Sequence, residues 1–281
     1  MYPTLIDFGM IDLLGFKFRL AIHSFGFMLV IAFYTTYFIL DKDLKKLKYE
    51  NTLASDLIFW AALGGVFGSK VYHLLENMDQ LIIDPIGMIF SGSGLVFLGG
   101  LIGGTISVSI ILHKNNLPWL VFADIVAPLL ILGYGIGRIG CFLVGDDYGI
   151  PTSLPWGLSF PNGLPPSTSQ VFELYFPWID ISNFEPGLLK VHPTQIYEFI
   201  ICLIIFFYLY NKRINIKVKG TLFFTYLILA GFERFFVEFI RTNEKYFLST
   251  FSGAQIISFF MISIGLLFII KPIKNTKVIS E

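Results

Sequence analysis

The 281-residue sequence has little charge, since Asp, Glu, Lys and Arg make up only 14% of it, whereas a soluble domain carries about 25%. It also has only two cysteines, Cys141 and Cys202, both inside apolar stretches. Two such cysteines do not make the disulfide framework of a small secreted protein, and they do not indicate a redox compartment. Low charge combined with 55% hydrophobic residues excludes a soluble globular domain and indicates a polytopic membrane protein.

Several catalytic and binding signatures are missing. No group of His, Cys, Asp and Glu has metal-ligand spacing, and there is no Ser-His-Asp pattern, Walker loop or nucleic-acid signature. Three histidines, His23, His73 and His113, are scattered near or within apolar stretches, and we interpret them as structural. Residues 1–19 lack a basic start followed by a small-residue cleavage site, so no cleavable signal peptide is predicted. We therefore predict no metal, no cofactor and no nucleic-acid partner.

Long apolar runs are what the sequence does have. A membrane-spanning helix needs about 20 apolar residues. Seven stretches qualify as candidates: Leu20–Leu40, Leu53–Leu75, Leu95–Leu112, Trp119–Val144, Ile196–Tyr210, Thr221–Ile240 and Ala254–Ile270. Pro128 and many glycines lie in the fourth, which predicts a kink or break there. We predict an all-α polytopic membrane protein with seven transmembrane helices, as a single domain over residues 1–281.

The distribution of lysine and arginine predicts how the spans are oriented, because cytoplasmic loops carry an excess of both. Twelve lie on the side of the C-terminus: Lys42, Lys45, Lys46, Lys48, Lys114, Lys212, Arg213, Lys217, Lys219, Lys271, Lys274 and Lys277. Five lie on the opposite side: Lys17, Arg19, Lys190, Arg241 and Lys245. This predicts a cytoplasmic C-terminus and an N-terminus outside.

The longest loop, residues 145–191, then lies outside the membrane. Its seven prolines argue against a long helix. Its large aromatic side chains, such as Trp156 and Trp178, argue against a disordered linker. We predict a small extracytoplasmic cap with short strands, whose rings lie near the lipid interface.

One arginine, Arg138, lies inside the fourth apolar stretch. It precedes the polar Gly145-Asp146-Asp147 by about two helical turns, roughly 10 Å. A guanidinium at that depth is costly in lipid and typically marks a functional site. We predict an anion site near the outer face of the membrane, with a phospholipid phosphate as the anion. The alternatives are an arginine neutralised by a carboxylate such as Asp124, an arginine that snorkels to the interface, and a solvated acidic turn at Asp146 and Asp147.

A second charged group closes the sixth span. Arg234, Glu238 and Arg241 are spaced i, i+4 and i+7, which places them on one helical face. With the predicted orientation, Arg234 lies about as deep as Arg138. Two arginines at matching depth favour phosphate binding, and they could stabilise charge on a leaving phosphate. The alternative is a structural ion pair between Arg234 and Glu238.

His192, Pro193, Thr194 and Gln195 open the fifth span from the outside. His192 and Gln195 fall on one helical face, and a histidine there could titrate or donate to an anion. The alternative is a helix-start motif, with proline in the first turn and polar side chains that satisfy free backbone N–H groups. In the third span, the glycine-rich stretch Gly92–Gly104 predicts close helix packing through small residues.

Five segments carry a family resemblance. They are GSKVYH from Gly68, GGLIG from Gly99, GRIGCFLVGDDYG from Gly137, HPTQIYE from His192 and RFFVEFIR from Arg234. In this order, and over nearly the whole chain, they resemble the signatures of the prolipoprotein diacylglyceryl transferase family. Several motifs in order are more specific than any one of them alone.

The resemblance implies a multi-pass enzyme of the bacterial inner membrane that acts in lipoprotein biosynthesis, without a cofactor. Such an enzyme transfers the diacylglyceryl group of phosphatidylglycerol to the lipobox cysteine thiol of a preprolipoprotein and releases glycerol phosphate. The implied partners are phosphatidylglycerol, the lipobox segment and membrane lipid. By position, Arg138 and Arg234 would be the catalytic residues that bind and polarise the phosphate. The other substrate-binding residues implied are Glu238, Arg241, His192, Gln195, Asp146, Gly149, Gly99 and Gly100.

The chain also departs from the family pattern. The departures are Leu98 for a histidine, Phe25 for a tyrosine, Cys141 and Val144 for two asparagines, and Asp146 for a glutamate. Leucine cannot take a proton, so a general base would have to be another group, such as His192 or Asp146. Alternatively, phosphate stabilisation provides most of the catalysis. Cys141 is either a small apolar packing residue or a thiol activated by the nearby Arg138.

Two further functions remain compatible with the same residues. One is a divergent paralogue that uses another acceptor. The other is a non-catalytic anionic-lipid-binding protein or transporter, although transporters often show inverted repeats and paired broken helices, and none is visible in this sequence.

Overall fold

The structure is a computed structural model that describes residues 1–13, 16–90, 96–213, 218–245 and 251–271, without the side chains of residues 11–19 and 90. The described part is mostly helical. Its elements are β1 (Thr4–Leu13), β2 (Phe16–His23), α1 (Ser24–Lys46), α2 (Leu53–Glu76), α3 (Met78–Ile83), α4 (Pro85–Phe90), α5 (Phe97–Lys114), α6 (Trp119–Val144), α7 (Ser169–Tyr175), α8 (Thr194–Lys212), α9 (Thr221–Val237) and α10 (Gly253–Ile270). Residues Met1–Thr36 with Val126–Glu281 form one compact unit, and Tyr37–Ile125 form another.

The chain begins with an antiparallel pair of strands, in which Thr4 of β1 lies opposite His23 of β2. The sequence of β2, FKFRLAIH, begins with the alternation of apolar and charged residues that is typical of a strand. The first span, predicted at Leu20–Leu40, therefore begins only at Ser24, and it extends to Lys46. The all-α prediction is wrong for this hairpin.

Six helices of the described residues are long and apolar enough to cross a membrane: α1, α2, α5, α6, α8 and α10. The protein is therefore a multi-pass membrane protein. The remaining predicted span, Thr221–Ile240, corresponds to α9, which ends at Val237 and continues as a 3-10 turn, Glu238–Ile240. Its 17 residues rise only about 25 Å. A seventh span therefore stays a prediction.

Glycines set the distance between α2 and α5 in the unit Tyr37–Ile125. A Cβ on Gly68 would lie 2.4 Å from the carbonyl oxygen of Gly99, and one on Gly103 would lie 2.2 Å from that of Gly64. These distances leave no room for a side chain, so the predicted packing through small residues is confirmed for Gly99 and Gly103. Gly92, Gly94 and the predicted start of the third span at Leu95 lie outside the described residues.

In the other unit, α6 and α8 also approach closely. A Cβ on Gly135 of α6 would lie 2.9 Å from the Cβ of Cys202 on α8. α6 is continuous through Pro128, so the break given as one predicted outcome is absent, while the kink given as the other stays a prediction. α8 in turn packs against α9, and α9 against α10. The close approach at Gly135 brings the next turn of α6 opposite the first turns of α8.

The loop between α6 and α8 has a small hydrophobic core of its own. Five buried residues form this core: Tyr148, Phe160, Phe172, Leu189 and Val191. The rings of Tyr148 and Phe160 stack with centroids 5.3 Å apart. Isolated bridges, such as Thr168 with Leu188, and the short helix α7 stand where short strands are predicted. Several predicted interfacial rings, including Phe160 and Phe172, are thus buried in the loop itself, while Trp156 and Trp178 are exposed.

Candidate functional site

The buried carboxylate of Glu198 lies at the centre of a charged cluster where α6, α8 and α9 meet. Glu198 is completely buried. The Nε and Nη2 atoms of Arg138 lie 2.8 and 2.9 Å from its two oxygens. Arg241 Nη1 lies 3.1 Å away, and Arg234 Nη1 lies 3.7 Å away. The hydroxyl of Tyr134 also donates to it over 2.5 Å. One carboxylate therefore gathers three guanidiniums, one from α6 and two from the end of α9 and the turn after it.

Asp147 forms a second bridge between two of these arginines. Its Oδ2 lies 2.9 Å from Arg138 Nη1, and its Oδ1 lies 2.6 Å from Arg241 Nη2. Burial raises the pKa of the Asp147 carboxyl, but the charges of Arg241 and Arg138 outweigh this and hold the pKa below its usual value. The side chain is nevertheless 42% exposed. Asp147 is thus an ionised carboxylate at the open edge of the cluster.

Glu238 joins the cluster to the start of α10. Its Oε2 lies 2.9 Å from Arg234 Nη2. Its Oε1 accepts hydrogen bonds from Ser252 Oγ at 2.6 Å and Asn243 Nδ2 at 2.8 Å. Ser252 is also the N-cap residue of α10, with a capping box. The alternative of an ion pair between Arg234 and Glu238 is therefore present, but as one part of a larger network.

The three arginines of the cluster differ in access. Three guanidiniums face three carboxylates, those of Asp147, Glu198 and Glu238. Arg138 and Arg241 are buried, whereas the side chain of Arg234 is 25% exposed. Buried arginines need such partners, because an uncompensated charge in a low-dielectric region is very costly. The exposed edge, formed by Arg234 and Asp147, is where the cluster can meet an anion.

The acidic turn after α6 is held by the first residues of α8. Gln195 is completely buried, and its Nε2 donates to the carbonyl of Asp146 at 2.5 Å. Thr194 Oγ1 donates to the carbonyl of Asp147 at 2.8 Å. Burial, and then the charge of Asp147, raise the pKa of the Asp146 carboxyl to about 6. The turn is therefore a fixed part of the site and not the freely solvated segment of the alternative interpretation.

Gly149 and His192 hold the backbone of this turn in place. The N–H of Gly149 donates to the carbonyl of His192 at 2.8 Å. A Cβ on Gly149 would lie 2.4 Å from the carbonyl oxygen of Ile240, and Gly149 forms a β-bridge with Arg241. The ring of His192 lies against Tyr197, with Nδ1 3.4 Å from the hydroxyl. Burial holds the pKa of His192 below its usual value.

The structure thus brings together most of the residues singled out from the sequence. Arg138, Arg234, Glu238 and Arg241 share one network. Arg241 lies after the end of α9 and its 3-10 turn, in extended backbone, so the prediction of one helical face is wrong for this residue, and the matching depth in a membrane stays a prediction. Gly99 and Gly100 belong to the unit Tyr37–Ile125, where they pack against α2. A part in substrate binding stays a prediction for all of these residues.

Three residues that contact the arginines or Glu198 were not among the predicted site residues. They are Glu198, Asp147 and Tyr134. Glu198 could have been found from two signals, namely a carboxylate inside an apolar stretch and its position three residues after Gln195, on the same helical face. The pairing of Asp147 with two arginines has no such local signal. Arg138 is indeed neutralised by carboxylates, and these include Glu198 and Asp147.

Cys141 lies beside this network. Its Sγ is 3.4 Å from Arg138 Nη1, and together with oxygens of Asp146 and Asp147 it forms a group of donor atoms within 4.8 Å of one another. Both oxygens of Asp147 already accept from guanidiniums, so we do not assign this group to a metal. Cys141 is buried, in agreement with its interpretation as a packing residue.

Comparisons with known proteins agree on one family. A family model described as prolipoprotein diacylglyceryl transferase matches residues 13–271. Three similar curated proteins are all named phosphatidylglycerol–prolipoprotein diacylglyceryl transferase. The one from Clostridium tetani is 33% identical over 89% of this chain and 92% of its own length. Those from Shewanella oneidensis and Staphylococcus carnosus are 29% and 32% identical, over 96% and 89% of this chain and 95% and 86% of their own lengths.

Proposed function

This chain belongs to the prolipoprotein diacylglyceryl transferase family, and we propose that it transfers the diacylglyceryl group of phosphatidylglycerol to the lipobox cysteine of preprolipoproteins. The observation that carries the proposal is the cluster of Arg138, Arg234 and Arg241 around Glu198. Guanidiniums bind phosphate through two parallel hydrogen bonds. In a multi-pass membrane protein, a phospholipid phosphate is the anion that lies within reach of such a cluster.

The reaction is a displacement at the glycerol carbon that carries the phosphate. The thiol sulfur forms a bond to this carbon while the bond from carbon to phosphate oxygen breaks. The electron pair stays on that oxygen, so glycerol phosphate leaves with one additional negative charge. Preorganised guanidiniums stabilise this developing charge. Arg234 is best placed to do so, because it is the most exposed of the three and its Nη1 makes no contact with Glu198 closer than 3.7 Å.

The proton of the attacking thiol needs an acceptor beside the arginines. Leu98 cannot accept a proton, and Asp146 is the group that we assign to this step. Its pKa of about 6 lets it accept a proton at neutral pH. Its Oδ1 is buried and has no hydrogen-bond partner in the part of the chain that the structure describes. Gln195 Oε1 is also buried without a hydrogen-bond partner among the described residues.

Complementation tests the reaction. The resident diacylglyceryl transferase of a bacterium is depleted, this chain is expressed, and maturation of a reporter prolipoprotein is followed by gel shift. We expect the reporter to be lipidated, and we expect Arg138→Ala and Arg234→Ala to fail. A well-inserted chain that leaves the reporter unmodified overturns the proposal. It would favour another acceptor or the lipid-binding function, for which Leu98 in place of the family histidine is the supporting observation.

We further propose seven spans in the inner membrane, with α9 as the sixth and with the loop 145–191 outside as a cap. The excess of lysine and arginine on the C-terminal side supports this orientation. Labelling of introduced cysteines tests it, because the native Cys141 and Cys202 are buried and free. A membrane-impermeant maleimide should label Ser182→Cys on intact cells and should label Asn115→Cys only after lysis. The reverse pattern would show the opposite orientation.

A further inference from the structure

We propose that the Asp147 carboxylate holds the position between Arg138 and Arg241 that two oxygens of the phospholipid phosphate take on binding. Asp147 is then a displaceable placeholder, and the phosphate exchanges with it. The inference rests on the proposed function only in that the ligand is an anionic phospholipid. It names a binding position and a specificity-determining residue that the motifs of the chain do not assign.

A phosphodiester can reproduce the bridge that Asp147 forms between the two arginines. Each oxygen of Asp147 contacts a different guanidinium, at 2.9 Å for Arg138 and 2.6 Å for Arg241. A phosphodiester also offers two nonbridging oxygens with one shared negative charge. Replacing the carboxylate by the phosphate therefore leaves both guanidiniums paired and the charge of the cluster unchanged. No buried donor loses its partner, which is the costly outcome in a low-dielectric site.

Exposure decides which carboxylate can leave. The side chain of Asp147 is 42% exposed, whereas that of Glu198 is completely buried and that of Glu238 nearly so. Glu198 also accepts from Tyr134, and Glu238 from Ser252 and Asn243. A displaced Asp147 can be hydrated, while a displaced Glu198 would remain a buried, unpaired charge. Asp147 is thus the carboxylate of the network that an incoming anion can replace.

The backbone of Asp147 can stay in place during this exchange. Its carbonyl accepts from Thr194 Oγ1 at 2.8 Å, and its φ of +58° is a left-handed conformation that Asp and Asn tolerate better than most residues. Only a rotation of the side chain is required. The same rotation in reverse would displace the released glycerol phosphate, so Asp147 also favours product release.

The test compares the full-length protein with Asp147→Asn, which keeps the size of the side chain and tolerates the positive φ but removes the charge. Transfer is measured against the mole fraction of phosphatidylglycerol in mixed micelles, with a non-ionic detergent that carries no phosphate as the diluent, and binding is measured by native mass spectrometry. We expect the KM for phosphatidylglycerol to fall by about tenfold, because the phosphate no longer has to displace a charged carboxylate from the guanidiniums. A factor of about ten corresponds to the loss of one charge-assisted hydrogen bond. Inhibition by glycerol phosphate should strengthen by a similar factor.

Asp180→Asn is the matched control, because Asp180 is a loop aspartate whose Oδ1 accepts from the backbone N–H of Ser182. It should leave the KM and the inhibition unchanged. If a folded Asp147→Asn protein binds phosphatidylglycerol equally well or more weakly, Asp147 is a structural bridge and the inference is wrong. Diacylglycerol, which lacks the phosphate, serves as the neutral lipid in the binding assay, and glycerol phosphate shows whether the headgroup alone is sufficient.

A second measurement on the unchanged protein covers the case in which the variant does not fold. Infrared difference spectra of protein with carboxyl-labelled aspartate should show one carboxylate moving from a guanidinium-paired to a hydrated band when phosphatidylglycerol is added. If the carboxylate band does not move when phosphatidylglycerol is added, the inference is wrong. A protein that shows this exchange but leaves the reporter prolipoprotein unmodified would uphold the placeholder and overturn only the proposed acceptor reaction.

Discussion

Arg138 and Glu198 face each other as a two-point ion pair between α6 and α8, with Nε 2.8 Å from Oε2 and Nη2 2.9 Å from Oε1. Sixty residues separate them in the chain. The close approach of Gly135 to Cys202, one turn away on each helix, sets the distance between the two backbones. Small residues in a membrane helix thus position a charged pair that the sequence shows only as one arginine and one glutamate.

Removal of the Glu198 carboxylate should destabilise the fold, because this carboxylate contacts three guanidiniums at once. Glu198→Ala leaves Arg138 without its buried carboxylate partner and leaves Arg241 with a contact to buried Glu238 at 3.7 Å; the loss of such a buried partner typically costs about 3–5 kcal/mol of the free energy of unfolding. Glu198→Gln should cost less, because the amide oxygen still accepts a hydrogen bond. Thermal and chemical unfolding in detergent measure this difference. Glu185→Ala, at an exposed loop glutamate, is the control, and equal stability of the Glu198 and Glu185 variants would contradict the central role of Glu198.

Arg234 should matter more for rate than for stability, because its side chain is 25% exposed. Arg234→Lys keeps the charge but loses the planar fork that binds phosphate. We expect the kcat for transfer to fall by about 10²–10³-fold, with a small change in unfolding temperature. Arg213→Lys, at the end of α8, is the matched arginine control. A kcat near that of the unchanged protein would exclude Arg234 from stabilising the leaving phosphate.

The pH dependence of transfer should report Asp146. Because its folded pKa of about 6 lies above the usual value, the carboxylate that accepts a proton is depleted as the pH falls below 6. The rate should therefore rise with pH up to about 6 and level off above it, and Asp146→Asn should remove this limb and lower the rate by about 10²–10⁴-fold. His192→Gln should keep the limb. If His192→Gln removes it and Asp146→Asn does not, the general base is His192.

Gly149 should not tolerate a side chain. In Gly149→Ala, the Cβ would lie 2.4 Å from the carbonyl oxygen of Ile240 and 2.8 Å from Thr194 Cγ2, so the turn and Arg241 must shift. We expect lower stability and a higher KM for phosphatidylglycerol. Gly65→Ala in α2 is the control, since its Cβ would meet only an ordinary contact at 3.7 Å. Similar unfolding temperatures for the two variants would contradict this account.

Local patterns in the sequence predicted some features well and others not at all. The apolar runs predicted helices at all seven positions, and the glycines of the third run predicted close packing with a neighbouring helix. The N-terminal hairpin was missed, because Leu20–Ile22 are apolar enough to be counted in the following helix. The buried aromatic core around Phe160 and Phe172 was also missed, because rings in a loop do not show whether they face lipid or one another.

The sequence by itself determined the class of the protein, the approximate helices and the family. Each of these depends on composition, on a run of residues or on a short motif. Only the tertiary structure decided that Glu198 gathers the three arginines and that Asp147 bridges two of them. The physical reason is that an ion pair joins residues far apart in the chain. Which residues form the pair depends on the close approach of helices and on a glycine-dependent turn, and not on local sequence.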